Sequence, residues 1–119
     1  VKDFHAAPIF MEAHKSGAHQ WLIEFEKAPQ DLNLFSSDLD NMLQQLNSDY
    51  AAKRKGDLIL GPPEVIQVHE GLFYTWLKKK NKLGGQNKIP RLSNERKLIK
   101  EFIELNEVLH VAQAQRSKD

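Results

Sequence analysis

His19-Gln20-Trp21-Leu22-Ile23-Glu24-Phe25-Glu26 alternates along its length: Trp21, Ile23 and Phe25 share one side, and Leu22, Glu24 and Glu26 the other. That two-residue period is the pattern of a half-buried β-strand. Upstream, Phe4-His5-Ala6-Ala7-Pro8-Ile9-Phe10-Met11 reads as a second extended run, and Pro8 restricts it to an edge or an irregular position. His14-Lys15-Ser16-Gly17 between them is a turn signal. Two runs joined by a short turn predict a hairpin.

Downstream the period changes. From Phe35, the apolar residues Leu39, Met42, Leu43, Leu46 and Tyr50 fall on one face of an α-helix. Asp31 or Ser36 is the expected cap, and Gly56, after Lys53-Arg54-Lys55, the expected stop. Residues 57–60 read as a short strand ended by Gly61-Pro62-Pro63, and 64–69 as another. A helix over 72–80 shows Phe73, Trp76 and Leu77 on its apolar face, and 81–90 is a loop. Ser93 is the expected N-cap of a last helix carrying Leu98, Ile99, Phe102, Ile103, Leu105 and Leu109. The polar residues 111–119 are expected to fray. The order β-β-α-β-β-α-loop-α predicts an α+β domain: a small mixed sheet, made of the hairpin and two further strands, packed with about three helices.

Composition bounds the function. The 119 residues suffice for one domain, and 40% hydrophobic content supports a packed core. The absence of cysteine excludes disulfides, thiolate catalysis and sulfur-ligated metals. No apolar run reaches the roughly 20 residues that span a bilayer, and there is no secretory signal, so a cytoplasmic protein is expected. The chain opens on Val1 rather than Met and reads as a piece cut from a longer protein. His5, His14, His19, His69 and His110 show no metal-ligand spacing, so no metal site is expected. No nucleophile-elbow signature is present.

The net charge of +1 hides an asymmetry. From 78 to 100 the chain carries nine basic residues and one acid, Glu95, which leaves about −7 for the rest. Such a segment is either a solvated surface or the address of an anionic partner. At its centre lies Gly84-Gly85-Gln86-Asn87-Lys88-Ile89-Pro90-Arg91. Two glycines permit close backbone approach to a ligand. Lys88 is a mobile point charge suited to phosphate oxygens, and Arg91 can bind them bidentately. The Walker A spacing is absent. A flexible interhelical connection explains the glycines equally well. A small nucleic-acid-binding module using 78–82 and 96–100 is a further reading, as is a protein-interaction domain. No aromatic residue is interleaved with the basic ones between 78 and 100, which weighs against stacking on bases.

Leu83-Gly84-Gly85-Gln86-Asn87-Lys88-Ile89-Pro90-Arg91-Leu92-Ser93-Asn94 resembles the C-terminal signature of the Gretchen Hagen (auxin-responsive promoter) family of acyl acid amido synthetases, above all its bacterial branch. The opening Val1-Lys2-Asp3-Phe4, the segment 18–25, Leu46-Asn47-Ser48-Asp49-Tyr50 and Gly71-Leu72-Phe73-Tyr74-Thr75-Trp76-Leu77 fit the same pattern. The likeness covers roughly residues 1–105, with Asn81 standing where glycine is expected. The resemblance implies that residues 1–110 are the small C-terminal lid domain of an adenylate-forming enzyme, with 111–119 as a tail. The whole enzyme would use ATP with magnesium to activate a carboxylic acid as an acyl-adenylate, and an amino acid amine would then displace AMP. The ATP loop and acyl pocket would lie in an N-terminal adenylation domain, the expected partner; neither membrane nor nucleic acid is implied, and this fragment alone is expected to be inactive. By position, Lys88 would be the catalytic cation that reaches the phosphate. Gly84, Gly85, Gln86 and Arg91 would form the contacting loop, and Val1, Lys2 and Asp3 would lie at the interdomain hinge.

Overall fold

The computed structural model describes residues 1–57, 59–80 and 88–118. Strand β1 (Asp3–Ile9) pairs antiparallel with β2 (Ala18–Glu24), with Phe4 opposite Ile23 and Ala6 opposite Trp21. This is the expected hairpin. Pro8 is tolerated because even-numbered residues of β1 point their N–H groups away from β2: Ala6 donates outward to Arg91 O at 2.8 Å. Proline lacks that donor, and its carbonyl instead accepts from Arg96 Nη1 at 2.9 Å.

After β2 come α1 (Leu32–Leu46) and α2 (Ser48–Arg54), then β3 (Glu64–Gln67), which runs parallel to β2. Parallel neighbours need a crossover, and α1 with α2 supplies it. Asp31 caps α1 by accepting from Leu34 N, while the Ser36 hydroxyl donates to Pro63 O. The single long helix expected here is two, because the Asn47 side chain accepts from Tyr50 N and starts a new helix. The chain then leaves α2 through Gly56, whose φ is 73°.

The described sheet has three strands in the order β1-β2-β3 rather than four. Of the strand expected over 57–60, Leu58 lies outside the described residues and Leu60 makes only an isolated bridge to Gly17. The adjoining Gly61-Pro62-Pro63 cannot extend that pairing, since two of its three residues lack an N–H. Gly17 is required at the bridge: a Cβ there would sit 2.8 Å from Ile9 O.

Helices α3 (Leu72–Lys79) and α4 (Lys97–Lys118) complete an α+β fold, with four α-helices on a mixed sheet among the described residues. Ser93 does not cap α4, which begins four residues later; its hydroxyl accepts from Glu95 N. Helical backbone continues to Lys118. The main core lies between the sheet and α3/α4, where Leu22, Leu72, Ile99 and Phe102 are fully buried. Phe102 is its hub, with the rings of His5, Phe73 and Trp76 edge-on to it at 4.9–5.3 Å.

The core-facing side of β2 is therefore Gln20, Leu22 and Glu24. The two polar residues tolerate burial because they are paired: Gln20 to Arg96 and Glu64, Glu24 to Gly71 N and Lys2. Trp21, Ile23 and Phe25 face the other layer, where Phe25 meets Phe35 of α1 and His19 stacks on Tyr50 of α2.

Candidate functional site

Ile89 is 6% exposed and packs in the core, so it pins the backbone beside Lys88. The next three residues are tied to β1. Pro90 O accepts from His5 Nδ1, Arg91 O from Ala6 N, and Ser93 N donates to Ala6 O. Leu92 thus forms a parallel bridge to Ala6, and the segment beyond Lys88 lines the outer edge of the sheet. A carbonyl can only accept, so His5 carries its proton on Nδ1. Burial lowers the His5 pKa from its ordinary 6.5, against the opposing effect of the Pro90 hydrogen bond.

This edge brings three of the sequence-derived candidates together. Asp3, Lys88 and Arg91 line one open recess of about 360 Å³, with Leu77 and Ile89 as its apolar wall. Arg91 Nε lies 3.5 Å from Asp3 Oδ1, and the guanidinium sits over the Phe4 ring at 5.4 Å. Arg91, expected to contact substrate, is held by Asp3 of its own domain. Lys88 is exposed, and no ion pair to it occurs among the described residues. The recess holds two cations and one carboxylate already engaged by a cation, a donor set that suits an anion. Gly84, Gly85 and Gln86 lie outside the described residues. Val1 is 67% exposed, and Lys2 pairs with Glu24 at 3.6 Å.

Two further cations of the basic segment are engaged within the domain. Arg96 donates to Pro8 O and to Gln20 Oε1 and is structural. Lys80 pairs with Glu101 at 3.0 Å, which lowers the Glu101 pKa. Phe73 and Trp76 are core residues, out of reach for base stacking.

On the opposite layer, the helix spacing gave no hint of a buried polar network. Asp40 accepts from Tyr50 OH at 2.6 Å and from Arg54 Nε and Nη2 at 2.8 Å each. Arg54 also donates to Leu60 O. The Arg54 hydrogen bonds, aided by Tyr50, hold the Asp40 pKa down at about 2, and burial with the Asp40 contact pushes Tyr50 upward. Burial, with a smaller push from Lys53, lowers the His19 pKa. The network locks α1 to α2. The missed signal was Asp40 and Arg54 facing inward from consecutive helices.

Residues 1–97 match the family model of the GH3 family C-terminal domain. The fold is similar to a solved GH3.15 acyl acid amido synthetase, with a TM-score of 0.65 and 20% identity over 91% of this chain and 19% of that one. It is also similar to AtGH3.15 acyl acid amido synthetase in complex with 2,4-DB, with a TM-score of 0.54 and 20% identity over 89% of this chain and 19% of that one. The chain thus spans about a fifth of the length of these structures. At such identity the likeness concerns the fold. No curated protein sequence matches the chain.

Proposed function

The chain belongs to the GH3 family, whose C-terminal domain it carries, and from that premise we propose that it is the lid of an ATP-dependent acid–amino acid ligase and delivers Lys88 to the nucleotide phosphate. The observation that carries the proposal is the Lys88 recess: an exposed ammonium beside a pinned backbone, with Arg91 neutralised in part by Asp3.

Activation of a carboxylate by ATP gathers negative charge at the α-phosphate while pyrophosphate leaves. A cation brought in as the site closes and loses water stabilises that charge, an effect of about 3–4 kcal/mol for one well-placed group. A long side chain on a mobile domain suits a contact made in one pose only. Magnesium that accompanies ATP would be held by the rest of the enzyme, because among the described residues the one carboxylate lining this recess, Asp3, is engaged by Arg91. The proposed partner is an N-terminal adenylation domain. Exposed Val1, Phe10, Met11 and Leu92, at 60–73%, give it an apolar surface near the sheet edge and hairpin turn.

The test is a comparison of the 119-residue chain with the longer enzyme, each given ATP, a carboxylic acid panel and amino acids. The longer enzyme is expected to release AMP and form an amide, and the chain alone neither. Amide formation by the isolated chain would refute the division of labour.

A nucleic-acid reading has less support, because Arg96 and Lys80 are engaged within the domain.

A further inference from the structure

Between the end of β3 and helix α4, two imidazoles meet. His69 follows β3, and its backbone N–H donates to Asn106 Oδ1 of α4 at 2.9 Å. His110 lies one helical turn beyond Asn106, so the same face of α4 that fixes the His69 backbone also meets its ring. His69 Nε2 and His110 Nδ1 are 3.1 Å apart, with ring centroids at 5.2 Å and planes inclined by 36°. The two residues are 41 positions apart in sequence, which is why no local spacing marked them.

We propose that His69 Nε2 and His110 Nδ1 form a bidentate site for a divalent late first-row transition ion, Cu(II), Ni(II) or Zn(II). Two nitrogens facing each other at this distance share a single hydrogen, one ring donating and the other accepting. An ion that replaces the hydrogen bond sits beside the line between the nitrogens: tetrahedral Zn(II) at about 2.0–2.1 Å needs them about 3.4 Å apart, and adjacent positions of a tetragonal Cu(II) or Ni(II) ion about 2.9 Å. The pair is within a few tenths of an ångström of either, a change that side-chain torsions supply. Imidazole nitrogen selects copper, nickel and zinc, whereas magnesium and calcium prefer oxygen ligands. Among the described residues no group of three or more His, Cys, Asp or Glu converges to hold a metal. Water therefore fills the remaining positions, and since His110 is exposed, the site binds an exchangeable ion rather than one needed for folding. This inference does not rest on the ligase reading.

The experiment titrates the 119-residue chain with Cu(II) and separately with Zn(II), in a weakly coordinating buffer, by calorimetry, with electron paramagnetic resonance on the copper complex. Expected are one equivalent bound and a spectrum of two nitrogen donors, with affinity at least tenfold weaker in His69→Ala and in His110→Ala. His110→Gln, which keeps a hydrogen-bonding group but offers no imidazole, is expected to lose the ion equally while circular dichroism stays unchanged. Binding that survives in all three variants belongs to other histidines or the amino terminus and overturns the proposal, as does the absence of a stoichiometric equivalent in the unmodified chain.

Discussion

The imidazole of the wholly buried His5 donates from Nδ1 to the carbonyl oxygen of Pro90, two residues beyond Lys88. The first strand thereby holds the segment that carries Lys88. Nε2 of the same ring is buried with no partner among the described residues, so a second proton there would have no acceptor.

That fixes the sign of a pH effect. Burial lowers the folded-state pKa of His5, and also of His19, below 6.5. Below pH 6.5 the unfolded chain takes up protons that the folded chain refuses, so stability is full above that pH and falls as pH drops beneath it. The urea midpoint is expected to be lower at pH 5.5 than at 7.5, and the difference to shrink in His5→Asn. His5→Ala, which leaves Pro90 O without its donor, should cost about 1–3 kcal/mol at pH 7.5. A midpoint flat between the two pH values would contradict the burial argument.

The Asp40–Arg54 pair acts in a different pH range. With its pKa lowered from 3.8 to about 2, Asp40 contributes stability that is present above pH 3.8 and lost as pH falls towards 2. That contribution is about 2 kcal/mol. Arg54→Ala leaves a buried carboxylate unpaired and should cost about 3–5 kcal/mol at neutral pH. Thermal or urea unfolding of the variant is the measurement.

Which parts of this were legible in the sequence follows from how local each determinant is. The hairpin, the Asp31 cap, the Gly56 stop and helix α3 are set by neighbours within a few residues, and all are found. The alternation in β2 marks a strand but not which side meets the core, because Gln20 and Glu24 are paired only once Arg96, Gly71 and Lys2 are brought to them from distant positions. The motif around Lys88 could be recognised from its residues. Its anchoring by His5 spans 85 positions, and no periodicity reports such a contact. The pairing of Arg91 with Asp3 was hidden for the same reason.

Arg96 separates a structural cation from a binding one. From just before α4, its guanidinium reaches Pro8 O and Gln20 Oε1 at 2.9 and 2.8 Å. Arg96→Ala should therefore lower stability by about 1.5–3 kcal/mol, the range for hydrogen bonds from a charged donor. The neighbouring exposed Lys97→Ala should change stability by less than about 0.5 kcal/mol. In a low-salt oligonucleotide titration neither variant is expected to differ from the unmodified chain, whose own binding should be negligible.

Arg91 should show the opposite balance. Its side chain is 64% exposed, and an ion pair of that kind contributes at most about 1 kcal/mol. Arg91→Ala is expected to unfold at nearly the same urea concentration as the unmodified chain while lowering the ligase rate of the longer enzyme. Arg91→Lys, which keeps the charge and loses the fork, should restore the rate only in part.

The delivery of Lys88 to the phosphate is the central claim, and ATP–pyrophosphate exchange in the longer enzyme carrying Lys88→Ala tests it most directly. The predicted result is an exchange rate lower by about 10²–10³, with ATP affinity changed little and the stability of this domain unchanged. An exchange rate equal to that of the unmodified enzyme would contradict the account.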